Sequence, residues 1–170
     1  MKYGIVVFPG KEVQDFANSY RKRYDPHYRL IQPHFTIREA EDWDDRQLEE
    51  AITLLNEASQ RLPAFTAKVN RFSSFLPVSN VIYLALEDAD PFIRLHEEIC
   101  QGPLEEPQKA YRYTPHLTIG QKLGNEEFHD VLSSVRLVDV GLEFLVDRFH
   151  LLYQTDNQAW TVYQTFLLQK

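Results

Sequence analysis

The chain has 170 residues, 44% of them hydrophobic and 13% aromatic, and carries a formal net charge of −7. That length and apolar content suffice for one self-supporting domain or two small lobes packed together, and the aromatic share excludes a disordered chain. No run approaches the ~18 consecutive apolar residues of a membrane span, and the acidic balance repels polyanions, so neither a membrane nor long duplex nucleic acid is an expected partner.

Taken in chain order, the opening MKYGIVVFPG has an apolar run too short for the core of a secretion signal and reads as a strand over 2–8. Val13, Phe16, Ala17 and Tyr20 share one helical face over 10–23, which Asp25-Pro26 ends. A strand follows within YRLIQPHFTIR (28–38). The acidic block from Glu39 to Glu50 then opens a helix over 44–61, where carboxylates suit the positive end of the helix dipole, and Pro63 stops it. AFTAKVNRF (64–72) alternates as a strand, FSSFLPVSN reads as a loop, and VIYLALED is a further strand.

From there the order starts again. Asp90-Pro91 reads as an N-cap followed by Pro, opening a helix over 91–101 whose apolar side carries Cys100. As the one cysteine in the chain it cannot support a disulfide framework, and it reads as a buried thiol of a cytoplasmic protein. QGPLEEPQKA is a loop, PHLTIGQK a strand, and Asn125 is the expected cap of a helix carrying Phe128, Val131, Leu132 and Val135. LEFLVDRFHLLYQ reads as one strand, and Asp156-Asn157 turns it into a last strand, WTVYQTFLL.

The segment Pro-His-Phe-Thr-Ile (33–37) recurs as Pro-His-Leu-Thr-Ile (115–119), and the elements around the two copies align at an offset of about 80. The expectation is one domain over 1–170 with an internal repeat of roughly 1–79 and 80–170. Its fold class is α+β: a duplicated two-lobed fold, mainly antiparallel sheets with helices on the outer faces, and a central groove between lobes related by a pseudo-twofold axis. In a strand, side chains two apart point the same way. His34 and Thr36 therefore face one side and Phe35 and Ile37 the other, as do His116 and Thr118 against Leu117 and Ile119.

Two imidazoles and two hydroxyls facing one groove suit phosphoryl transfer. One neutral imidazole takes a proton from water or a ribose hydroxyl, a charged one protonates the leaving oxygen, and the hydroxyls donate to non-bridging phosphate oxygens. These residues leave open which histidine plays which part. Strict alternation also puts Arg38 on the face of His34 and Thr36, a fixed positive charge for the phosphate, with Gly120 leaving space at the equivalent place. Tyr28, Tyr111 and Tyr113 lead into the motif strands and are candidates to stack a base. Arg29, Lys109, Arg112 and Lys122 are further candidate phosphate contacts, and His27, His96, His129 and His150 stand outside the repeat. No paired-cysteine, HExxH, calcium-loop, P-loop or dinucleotide signature appears, so no metal and no cofactor are expected.

Two H-x-T-x motifs about 80 residues apart on a duplicated α+β chain resemble the 2H phosphoesterase superfamily, above all its YjcG-type branch. That superfamily includes the RNA 2′,3′-cyclic phosphodiesterases, also called 2′–5′ RNA ligases, and the likeness extends over essentially the whole chain. The resemblance implies that His34 is the proton donor and His116 the proton acceptor, with Thr36 and Thr118 holding phosphate oxygens. The implied activity is a metal-independent hydrolase acting on a small phosphodiester or an RNA terminus. The alternative reading is a binding module for a nucleotide or RNA end that does not turn it over.

Overall fold

The computed structural model describes residues 1–108 and 111–170. Its elements in chain order are β1 (Lys2–Val7), α1 (Lys11–Tyr24), β2 (Phe35–Asp42), α2 (Asp45–Arg61), β3 (Phe65–Ser74), β4 (Ile82–Leu86), α3 (Asp90–Ile99), β5 (Leu117–Gly120), α4 (Asn125–Val135), β6 (Leu142–Val146), β7 (Arg148–Gln154) and β8 (Trp160–Leu167). The strands form two four-stranded antiparallel sheets, ordered β2-β1-β7-β8 and β5-β4-β3-β6. This is the two-lobed α+β architecture expected from the sequence.

Local chemistry accounts for most element ends. Asp44 and Gln47 form a reciprocal capping box at the start of α2, each side chain accepting from the other's backbone N–H. The caps of α3 and α4 fall one residue earlier than the sequence pattern places them, at Ala89 and Gly124. Asn125 instead accepts a hydrogen bond from Asn80 Nδ2 at 2.8 Å, tying α4 to the loop before β4.

The expected single strand over 142–154 is two strands. Asp147 separates β6, which pairs with β3, from β7, which pairs with β1, so the chain passes between sheets across one residue. β3 likewise follows α2 in sequence but lies in the second sheet. The first sheet thus combines strands from both ends of the chain, and the second takes the four strands between them.

The two motif strands reach into one core. Phe35 stacks on Phe144 of β6, with ring centroids 5.7 Å apart, and meets Phe92 of α3 at 4.9 Å. Leu117, Ile37 and Ile119 are also buried. Truncating a buried aromatic of this kind costs about 3–5 kcal/mol, so the apolar residue inside each motif anchors its strand to the core.

Both motif strands carry a bulge at the same place. Val6 pairs with Thr36 and Ile5 with Arg38, leaving Ile37 as the extra residue; Tyr83 pairs with Thr118 and Ile82 with Gly120, leaving Ile119. A bulge of this type puts its two residues on roughly one side of the sheet and breaks the alternation.

Candidate active site

Each motif histidine sits one residue before its strand and is held in the same way. His34 Nδ1 lies 2.8 Å from the carbonyl of Gln32, and His116 Nδ1 lies 2.8 Å from the carbonyl of Thr114. A carbonyl can only accept, so Nδ1 carries the proton in both rings and Nε2 is the nitrogen free to exchange one. The repeated motif therefore fixes tautomer as well as position.

The segment before His34 is secured from α1. Arg21, fully buried, donates to the carbonyl of Ile31 at 2.7 Å and to Asn18 Oδ1, and its Nε is 3.4 Å from Asp25. Asp25 in turn accepts from Gln121 Nε2 at 2.9 Å, while Gln121 N donates to the carbonyl of Tyr24. The turn after β5 is thereby joined to the turn before β2. On the other side, Phe75 meets the His116 ring edge-on at 4.9 Å and Tyr83 approaches it at 5.4 Å.

This packing decides the charge state. Burial pushes His34 down to about 4, with the positive charges of Arg21 and His116 acting in the same direction against the Gln32 carbonyl and Asp25. Burial also lowers His116, opposed by the Thr114 carbonyl and the Glu39 carboxylate. In both rings burial thus works against the charged form, so the neutral form is favoured near neutral pH.

A cavity of about 640 Å³ is lined by Thr36, Glu39, Phe75, His96, Tyr113 and His116 among others, while His34 and Thr118 are not among its lining residues. Thr36 lies on β2 of the first sheet and His116 directly before β5 of the second, so the cavity brings together one residue of each motif. Tyr111 stands at its rim, well exposed, and Arg112 also lines it. Tyr113 is spent on structure: its Oη donates to the carbonyl of Thr36 at 2.8 Å and its ring lies flat on that of His96. Lys109 lies outside the described residues.

Two expectations are corrected. Arg38 does not face the groove. The bulge at Ile37 turns it to the buried side, where only 3% of it is exposed, and its guanidinium donates to the carbonyls of Leu104 and Glu105, pairs with Glu41 and lies over Trp43. Gly120 does not leave room for a ligand either: a Cβ there would stand 3.2 Å from Tyr24 Cβ and 3.3 Å from Leu123 Cδ1, so its space belongs to the end of α1. Tyr28 lies under the Arg21 guanidinium, and Arg29 and Lys122 do not line the cavity.

Glu39, Phe75 and His96 were not legible as site residues. Phase gives no hint of Glu39 or Phe75. His96 on α3 and Cys100 at its C-cap do stand four apart in the sequence, a spacing that in a helix places both on one face.

With this geometry in view, the comparisons with known proteins bear on the class. The model of the 2′-5′ RNA ligase superfamily matches residues 9–158, and the chain belongs to that family. Proteins named "Putative phosphoesterase" from Bacillus licheniformis and Geobacillus kaustophilus are 48% and 49% identical to it over 168 residues; these matches span 99% of this chain and 99% and 96% of theirs. The expectation of an enzyme, a hydrolase acting on ester bonds, accords with the family and with those names. In fold, the chain is similar to Escherichia coli LigT in its complex with 3′-AMP (TM-score 0.75, 15% identity, 99% and 98% of the two chains) and to a protein of Thermus thermophilus (TM-score 0.73, 20% identity, 99% and 98%). No helix among the described residues is long and apolar enough to cross a membrane.

Proposed function

We propose that this chain is a phosphoesterase that opens a 2′,3′-cyclic or related phosphodiester of a small or terminal ribonucleotide by two-histidine general acid–base catalysis, without a metal. One observation carries the reading: both motif histidines are locked in the same tautomer by a carbonyl two residues earlier, and each is followed two residues later by a threonine. In this scheme the neutral Nε2 of His116 takes a proton from water as its oxygen bonds to phosphorus. The bond from phosphorus to one ribose oxygen breaks, and His34, charged in the presence of the anionic substrate, returns a proton to that oxygen. Thr36 and Thr118 donate to the non-bridging oxygens as charge builds there. The E. coli structure with 3′-AMP supports a nucleotide-sized ligand for this fold.

The test is incubation of short oligoribonucleotides ending in 2′,3′-cyclic phosphate with the protein in EDTA. Conversion to a terminal phosphomonoester is the expected result, and binding without conversion would make the chain a nucleotide-binding module instead.

A further inference from the structure

The wall of the cavity holds a second constellation that the proton-transfer scheme does not use. His96 stands on α3, Cys100 caps the C-terminal end of that helix, and Glu106 reaches them from the loop that follows; one ligand atom from each lies within 4.8 Å of the others. Glu106 Oε1 is 3.6 Å from His96 Nε2 and 3.9 Å from Cys100 Sγ. Cys100 Sγ also lies 3.4 Å from Nδ1 of the His96 ring. For a tetrahedral zinc site with N, O and S donors, ligand atoms sit about 3.3–3.8 Å from one another, so the Glu106 distances are close to that spacing and the thiol side chain moves towards Nε2 to complete it.

The histidine is already prepared for such a role. Its Nδ1 lies 2.7 Å from the carbonyl of Ile37, which fixes the proton on Nδ1 and turns the Nε2 lone pair towards the carboxylate. Tyr113, stacked at 3.9 Å and 2° from parallel, holds the ring plane. The surrounding charge points the same way: among the described lining residues Glu39, Glu105 and Glu106 stand against Arg112, an acidic wall for a cavity read as receiving a phosphate.

We infer that His96, Cys100 and Glu106 form a three-donor site for a thiophilic divalent cation of the zinc class, with its remaining coordination position open to the cavity that Thr36 and His116 share. The inference concerns binding and stands apart from the two-histidine reaction.

The experiment is titration of the full chain, stripped with EDTA and kept reduced, with Co²⁺. One equivalent should bind with the near-ultraviolet thiolate-to-cobalt charge-transfer band and the visible bands of a low-coordinate ion, and Zn²⁺ should displace it. Cys100→Ser should abolish the charge-transfer band, and Glu106→Gln should weaken binding at least about tenfold. Because Cys100 is the one thiol in the chain, its alkylation by iodoacetamide gives a second readout on unmutated protein: Zn²⁺ should slow it. Absence of binding at millimolar Co²⁺, a cobalt spectrum without the thiolate band, or alkylation indifferent to Zn²⁺ would overturn the site.

Discussion

Tyr113 and His96 lie ring on ring, and between them they hold two consecutive carbonyls of the first motif strand, Tyr113 that of Thr36 and His96 that of Ile37. These are the carbonyls at the bulge, where the β ladder is interrupted. The pair therefore sets the backbone from which Thr36 projects, and it does so from α3 and from the approach to the second motif.

Removing the Tyr113 hydroxyl isolates that role. Tyr113→Phe keeps the stack and leaves a largely buried carbonyl without its donor, at a cost of about 1–2 kcal/mol. The expected result is a modestly lower melting temperature together with a fall in kcat larger than the change in KM, because Thr36 is misplaced while the cavity persists. An unchanged kcat in a destabilised protein would leave Tyr113 a purely structural residue.

Arg38→Ala should behave as a core mutation. It strips donors from the Leu104 and Glu105 carbonyls and leaves Glu41 unpaired, for a loss of about 3 kcal/mol by chemical denaturation. KM for an anionic substrate should hardly move in the fraction that remains folded. A large rise in KM with intact stability would restore Arg38 to the phosphate site.

Much of this was readable in advance, and the failures have a common cause. Phe35, Ile37, Leu117 and Ile119 are buried as their apolar character in a strand requires. Alternation holds from His34 to Thr36, then stops at the bulge, so the phase argument for Arg38 fails one residue beyond where it was safe. Gly120 was the available signal, since a glycine inside a strand marks a bulge or a close backbone approach, and here it marks both. Carried across the repeat, it would have placed a bulge at Ile37. The passage of the chain between sheets at Asp147 left a weaker mark, a single strand-disfavouring Asp within an otherwise strand-like LEFLVDRFHLLYQ.

The pH dependence of kcat/KM follows from the two depressed histidines. It reports groups of the free enzyme, and His34 is pushed down to about 4 while His116 is lowered from its ordinary value. The optimum should therefore lie below about pH 6.5, whichever ring is the acid. The kcat profile should sit at higher pH, since a bound phosphate anion favours imidazolium. A rate profile for kcat/KM centred at pH 8 would contradict this.

The same shift acts on stability. A histidine whose folded value lies below its unfolded one binds more protons when unfolded, so folding stability rises with pH through the window between them. For His34 that window runs from about 4 up to the ordinary histidine value near 6.5. As pH is lowered across it, the wild-type melting temperature should fall faster than that of His34→Asn. Parallel curves would show that His34 is not held neutral by the fold.

The central claim is that His34 and His116 act as one proton-transfer pair. Its most direct test compares wild type, His34→Ala, His116→Ala and the double variant on an oligoribonucleotide ending in 2′,3′-cyclic phosphate, in EDTA, at the optimum pH. Each single substitution is expected to lower kcat by about 10²–10⁴, and the double variant to lose little more than the worse single one, since members of a catalytic unit are not additive. A single variant that keeps more than about a tenth of the rate, or a wild-type activity that EDTA abolishes, would contradict the account.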